Sequence, residues 1–249
     1  MSTDELQWRL TIPGELINSN EVHVWRVFLD VSTVEFESMM EFLSVDELAR
    51  AGRFHFESDQ RRFIMARGIL RKILSGYLGM KPHQLQFEYT PHGKPVLSSN
   101  SGRDNLSFNL SHSGAIVLYA VTRGSRIGID IERIHDNLDF AQIAQRFFSP
   151  GEISSLERMG KNSRTEGFFH YWARKEAFIK ATGEGVSFPL EQCDVSLFSE
   201  SDLSLIRLVG EHIENSGWYG QDLFPGHGYA AAIAVEGNDW ELSCREYAG

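Results

Sequence analysis

The stretch AIVLYAVTRGSRIGIDIERI, residues 115–134, decides how the chain divides. Its first part is almost continuously apolar. Its last part alternates, with Ile129, Asp130, Ile131 and Glu132 in succession. Gly124-Ser125 sits between them as a turn signal, so the reading is two strands joined as a hairpin. Side chains at i and i+2 of a strand share a face, so Asp130 and Glu132 project together. Like charges so placed repel, and at least one carboxyl is raised in pKa unless solvent, basic side chains or a divalent cation relieves it. On its own the pattern also fits an exposed edge strand with solvated acids.

Outward from this joint the chain repeats itself faintly. Before it, RFHF is followed by FIMARGILRKILSGYLG. After it, RFFS is followed by FHYWARKEAFIKATGEG. Phe63, Ala66, Ile69, Leu70, Ile73, Leu74 and Tyr77 form a broad apolar stripe at helical spacing, with Ser58 as candidate cap and Gly76 or Gly79 near the stop. SVDELARAGRF carries a capping-box pattern in Ser44 and Glu47. VHVWRVFL (22–29), QLQFEYT and LSFNLSHSG read as strands. After the joint, FFSPGEISSLERM starts a helix behind Ser149-Pro150. TEGFFHYWARKEAFIKATG is a second long helix, ended by Gly183 and Gly185. CDVSLF, LSLIRLV and YAAAIAVE read as a late antiparallel sheet. The expected fold is α+β: two related halves, each a long helix packed on a small, mainly antiparallel sheet. The halves are 1–124 and 125–249.

The bulk numbers exclude several classes. The chain has 249 residues, 42% hydrophobic and 23% charged, as in a globular protein with a sizeable core. A net charge of −10 argues against nucleic-acid binding. Cys193 and Cys244 offer neither metal spacing nor a disulfide framework, which suits a reducing cytoplasm. MSTDELQWRL has acids where a signal peptide needs a basic then apolar run. YAAAIAV is too short to span a bilayer. Against the acidic total, Arg50, Arg53, Arg61, Arg62, Arg67, Arg71 and Lys72 crowd one segment with only Glu57 and Asp59. That segment is either a solvated helix face or an anion site.

Trp172, Glu176 and Lys180 form one stripe of the second long helix. If that helix faces the acidic strand, Asp130, Glu132 and Glu176 make an all-oxygen site suited to magnesium, with Lys180 one turn away. A bound cation inverts the local sign and lets an acidic site hold phosphates. Taken alone, Glu176 and Lys180 are also an ordinary helix-surface pair. PHGKPVL presents Lys94 in a turn, either an exposed loop lysine or an anion ligand. FNLSHSG ends in Ser111, His112 and Ser113, small donors able to bind a phosphate.

GIDIERI, RFFSPGE, YWARKEAFIKATGEG, HGKPVL and FNLSHSG, in this order and spacing, resemble the 4′-phosphopantetheinyl transferases of the larger, Sfp-type class. The resemblance runs from about residue 44 to 190, with an echo at GYAAAIAV. It implies transfer of the 4′-phosphopantetheine arm of coenzyme A to a serine of an apo acyl or peptidyl carrier protein, with 3′,5′-ADP as the other product. It implies a pseudo-twofold pair of α+β halves, 1–124 and 125–249, with the active site in the cleft between them, and Mg2+ held by Asp130, Glu132 and Glu176. Lys180 would contact the pyrophosphate, and Lys94, Ser111 and His112 the nucleotide phosphates, His112 at the 3′-phosphate. Arg50, Arg53 and Arg62 would line the nucleotide side. Glu176 is the candidate base for the serine proton, and Lys180 neutralises or protonates the leaving phosphate. Glu47 stands where a relative can have a lysine, and Phe63 where a small hydroxyl residue can stand, which leaves the nucleotide-edge contacts open. The carrier is expected to dock near the cleft mouth, at the segment after Phe147-Phe148. The internal duplication makes a monomer the expected state. A magnesium-dependent phosphodiesterase and a non-catalytic coenzyme A-binding module are the rival readings.

Overall fold

The computed structural model describes residues 7–29, 33–98, 105–136, 139–185, 188–196, 203–208 and 217–249. The turn at Gly124 takes φ 81°, open to glycine without a side-chain clash. The strands on either side of it, Ile116–Arg123 and Ile127–Arg133, do not form the expected hairpin. They belong to different sheets.

In chain order the elements are β1 (Arg9–Thr11), β2 (Glu21–Phe28), α1 (Thr33–Phe42), α2 (Val45–Ala51), α3 (Glu57–Leu78), β3 (Phe87–Tyr89), β4 (Pro95–Leu97), β5 (Leu106–Ser113), β6 (Ile116–Arg123), β7 (Ile127–Arg133), α4 (Phe140–Phe147), α5 (Pro150–Arg158), α6 (Lys161–Thr182), β8 (Cys193–Asp194), β9 (Ser204–Leu205), β10 (Arg207–Leu208), β11 (Trp218–Leu223), β12 (Tyr229–Glu236) and β13 (Glu241–Tyr247). One sheet has the order β1-β13-β2-β6-β5 and the other β7-β12-β11-β9. Strand β6 already has β2 and β5 on its two edges, so β7 has no edge of β6 to join and starts the second sheet instead. Strand β13 pairs in parallel with β2 and β1. The C-terminal strand therefore returns to the sheet of the first half.

The strands sort their side chains by parity. On β6, Val117, Tyr119 and Val121 pack toward α3, while Ile116, Leu118 and Ala120 pack toward the other sheet. On β12, Ala230, Ala232 and Ala234 meet α6, while Ala231, Ile233 and Val235 join the core between the sheets. Both faces are buried, which is why YAAAIAV reads as a continuous apolar run. The result is helix, sheet, sheet, helix, with three apolar layers between.

On β7, Ile127, Ile129 and Ile131 enter the core between the sheets. Gly128, Asp130 and Glu132 take the other face, toward α6. A Cβ at Gly128 would lie 2.0 Å from the Ala177 carbonyl oxygen and 2.4 Å from the Ala181 nitrogen. Only a hydrogen fits there, and Ala173, Ala177 and Ala181 on α6 keep that approach close.

The two halves repeat the same local solutions. Helices α3 and α6 are each 22 residues long and end in a left-handed glycine, Gly79 and Gly183. Phe56 precedes α3 as its N-cap residue, so Ser58 lies inside the first turn rather than at the cap. Ser44 and Glu47 form the expected capping box of α2, and Ser149 and Glu152 form another at α5. Each glutamate is fully buried against a base on the long helix. Glu47 pairs with Arg67 and Arg71 at 2.7 Å, and Glu152 pairs with Lys175 at 2.8 Å. Arg71 also donates to the carbonyls of Pro82 and Leu85, and Lys175 to those of Leu190 and Cys193. These bonds are what make burying such charges tolerable.

Candidate active site

The site begins with the acidic face of β7. Asp130 is buried, and its Oδ1 accepts from Ser111 Oγ at 2.8 Å and from Lys180 Nζ at 2.6 Å. Lys180 Nζ donates in turn to Ser111 Oγ at 2.9 Å. One N–H of the ammonium remains for another acceptor. Asp130 Oδ2 is buried with no hydrogen-bond partner among the described residues.

Glu132 and Glu176 adjoin Asp130 closely enough to share its field. Burial, then the Asp130 charge, push Glu132 up to about 7; Lys180 and a hydrogen bond with Trp172 oppose the rise. Burial and Asp130 also hold Glu176 above the usual carboxylate range, against the pull of Lys180. Among the described residues no three His, Cys, Asp or Glu side chains converge at ligand spacing. The donor set is all oxygen, one buried carboxylate oxygen lacks a partner, and two carboxyls are held above their ordinary pKa. Those three observations fit a hard divalent cation.

Over this floor lies a cleft of about 910 Å³ between α3 and α6. Its first-half wall carries Arg50, Arg62, Lys94 and His112, and its second-half wall carries Glu176 and Lys180. Burial, then the Lys180 and Arg62 charges, pull the His112 pKa down. Arg53 is exposed and does not line the cleft. Glu132 instead edges an adjoining niche of about 230 Å³ with His135, Ile143, Phe168, Phe169 and Trp172.

Several readings change in detail. Lys94 is not an exposed loop lysine. Its Nζ donates to the Ile127 carbonyl at 3.0 Å and the Lys180 carbonyl at 2.5 Å, tying the β3–β4 turn to the second half. Burial, then Arg126 and Lys180, lower its pKa to about 8. Ser113 does not face the cleft as a phosphate donor; its Oγ accepts the Arg133 N–H at 2.9 Å. The basic segment is not one anion site, because Arg67 and Arg71 are spent on Glu47, and Arg61 lies over the Phe36 ring. In the YWARKEAFIK helix, Arg174 pairs with Asp222 and Lys175 with Glu152, so of its charged side chains Glu176 and Lys180 are the two that line the cleft, beside Trp172 and Ile179. The sequence reading missed Asn109, whose Oδ1 accepts the Ile129 N–H at 2.9 Å. Its signal was present: Asn109, Ser111 and Ser113 are polar at strand spacing.

Comparison with known proteins follows the same lines. Residues 126–234 match the family described as the 4′-phosphopantetheinyl transferase superfamily, and residues 30–123 match the family described as 4′-phosphopantetheinyl transferase, N-terminal. The chain is 39% identical to the 4′-phosphopantetheinyl transferase HetI of Nostoc sp., over 94% of this chain and 95% of that protein. It is 32% identical to the 4′-phosphopantetheinyl transferase Sfp of Bacillus subtilis, over 76% of this chain and 82% of that one. It is 38% identical to psf-1 of Bacillus pumilus, over 70% and 72%.

Proposed function

The chain belongs to the 4′-phosphopantetheinyl transferase superfamily, in its Sfp-type class, and from that premise we propose how its cleft carries out the transfer. The reaction moves the phosphopantetheine arm of coenzyme A to a serine of an apo carrier protein and leaves 3′,5′-ADP. Coenzyme A lies across both walls. Arg50, Arg62 and His112 hold the nucleotide phosphates from the first half, with the remaining N–H of Lys94 beside them. Lys180 meets the pyrophosphate from the second.

Little covalent chemistry falls to the protein in such a step, so positioning and charge neutralisation dominate. The unshared N–H of Lys180 neutralises, or protonates, the leaving phosphate. Glu176 lines the cleft one helical turn from Lys180, which places it to take the serine proton directly or through one water. Asp130, Glu132 and Glu176 are the residues that would hold Mg2+; when bound, the ion supplies charge stabilisation for the pyrophosphate and the departing nucleotide. The two halves are read as a pseudo-twofold pair within a monomer, with only the second bearing the acidic face.

The observation that carries this reading is Lys180, bonded to Asp130 and Ser111 at the point where the two walls meet. The test is incubation with coenzyme A, magnesium and an apo carrier protein, followed by mass spectrometry. One phosphopantetheine gained by the carrier, abolished by chelator and by Lys180→Met, is the expected result. Hydrolysis of coenzyme A without carrier modification would overturn the reading.

A further inference from the structure

Strands β5 and β7 are edge strands of different sheets, yet they lie side by side. No backbone ladder joins them among the described residues. Side chains of β5 take that role instead. Asn109 Oδ1 accepts the Ile129 N–H at 2.9 Å, Ser111 Oγ donates to Asp130 at 2.8 Å, and Ser113 Oγ accepts the Arg133 N–H at 2.9 Å. Both numbers climb together along the pairs, so the strands run parallel. The three donors and acceptors sit two residues apart on one face of β5. On the opposite parity, Phe108 and Leu110 pack toward α3, and His112 enters the cleft, whose lining also includes Asn109.

One strand thus does two things. It presents His112 with the first-half wall, and it grips the segment of β7 that bears Asp130. Asn109 and Ile129 are both buried, at 4% and 0% exposure. A bond between two such groups holds its geometry, because breaking it strands a buried N–H. A ligand that spans both halves reacts only if the halves are in register, since an error of about 1 Å in placing reacting groups can lower a rate about 100-fold.

We infer that the Asn109–Ser111–Ser113 face of β5 sets the register between the two halves, and that Asn109 is a positioning residue for the transfer. It acts through the Ile129 backbone on Asp130. The inference rests on the proposed function, in which coenzyme A crosses both walls.

The product 3′,5′-ADP supplies the discriminating probe, because its contacts fall mainly on the first-half wall. In Asn109→Ala, the affinity for 3′,5′-ADP stays within about twofold of the parent, which also shows the first half folded. The kcat for carrier modification falls about 30- to 100-fold. The advantage of coenzyme A over 3′,5′-ADP in calorimetric binding shrinks about tenfold. Ser113 lies outside the cleft, so Ser113→Ala isolates register from ligand contact. Its kcat falls about 3- to 10-fold, and Ser113→Thr, which keeps the hydroxyl, recovers most of the loss. An equal loss of affinity for both ligands in Asn109→Ala would make Asn109 a direct nucleotide contact and overturn the inference. So would unchanged kcat in Asn109→Ala and Ser113→Ala. Failure of the parent protein to modify any carrier would instead defeat the functional reading, in the same assay.

Discussion

Replacing Glu132 by glutamine should make the cation-free protein more stable while removing its activity. In the folded chain, burial and Asp130 push this carboxyl from an ordinary 4.5 up to about 7. In the unfolded chain it ionises near its ordinary value. Between these pH values the folded form keeps a proton that the unfolded form has lost, so stability falls as pH rises and levels off above about 7. A displacement of this size corresponds to about 3 kcal/mol, reduced to about 2 kcal/mol because the carboxyl keeps some solvent contact. Glutamine retains an acceptor for Trp172 and never ionises. Its Tm in chelator at pH 8 should therefore exceed that of the parent by about 4–8 °C, and the gain should vanish near pH 4.5. Scanning calorimetry at the two pH values measures this. Magnesium at pH 8 should raise the parent's Tm and leave Glu132→Gln nearly unmoved. A Tm difference that is absent at pH 8, or the same at both pH values, would refute the argument that Glu132 is a strained carboxylate awaiting a counter-charge.

Gly128→Ala should cost about 3 kcal/mol by denaturant titration, because its Cβ has no room against the Ala177 and Ala181 backbone. It should also lower kcat at least tenfold, since α6 must lift Glu176 and Lys180 away from Asp130; a parental kcat would show that the helix seat does not place them. Lys175→Met should lose about 3–5 kcal/mol by leaving Glu152 buried without its base, yet keep the parental kcat per folded molecule. A lost kcat with intact stability would move Lys175 into the site. His112→Ala should weaken coenzyme A about 10- to 100-fold and leave the analogue without the 3′-phosphate within about twofold; equal losses, measured by calorimetry, would remove that assignment.

Much of the local structure was legible from residue pattern because the forces that set it are local. The capping box at Ser44, the helix start behind Ser149-Pro150, left-handed stops at Gly79 and Gly183, and the shared face of Asp130 and Glu132 depend on neighbours within a few positions. So do the acidic alternation of GIDIE and the Glu–Lys stripe of WARKEAFIK, each taken by itself; that the two face each other is a tertiary fact. Of the Ser111–His112–Ser113 triplet, His112 lines the cleft and Ser111 bonds the cleft-lining Lys180, while Ser113 is bonded to the Arg133 N–H; strand alternation alone does not say which of the three meets the cleft.

What only the tertiary structure decided is where each strand joins and which charges are free. Residues 115–134 carry every sign of a hairpin, but an edge is open only if no other strand has taken it, and β2 and β5 flank β6 on both sides. The return of Glu241–Tyr247 to the first sheet is equally invisible to periodicity. The basic segment around Arg50 to Lys72 shows the same limit for charge. Arg50 and Arg62 reach the cleft, Arg53 points to solvent, Arg67 lines the cleft while paired with Glu47, and Arg71 is buried against Glu47, although all five read alike in one dimension. A side chain's type sets what it can do locally, but its burial and its distant partners set what it is left free to do, and those are properties of the folded chain.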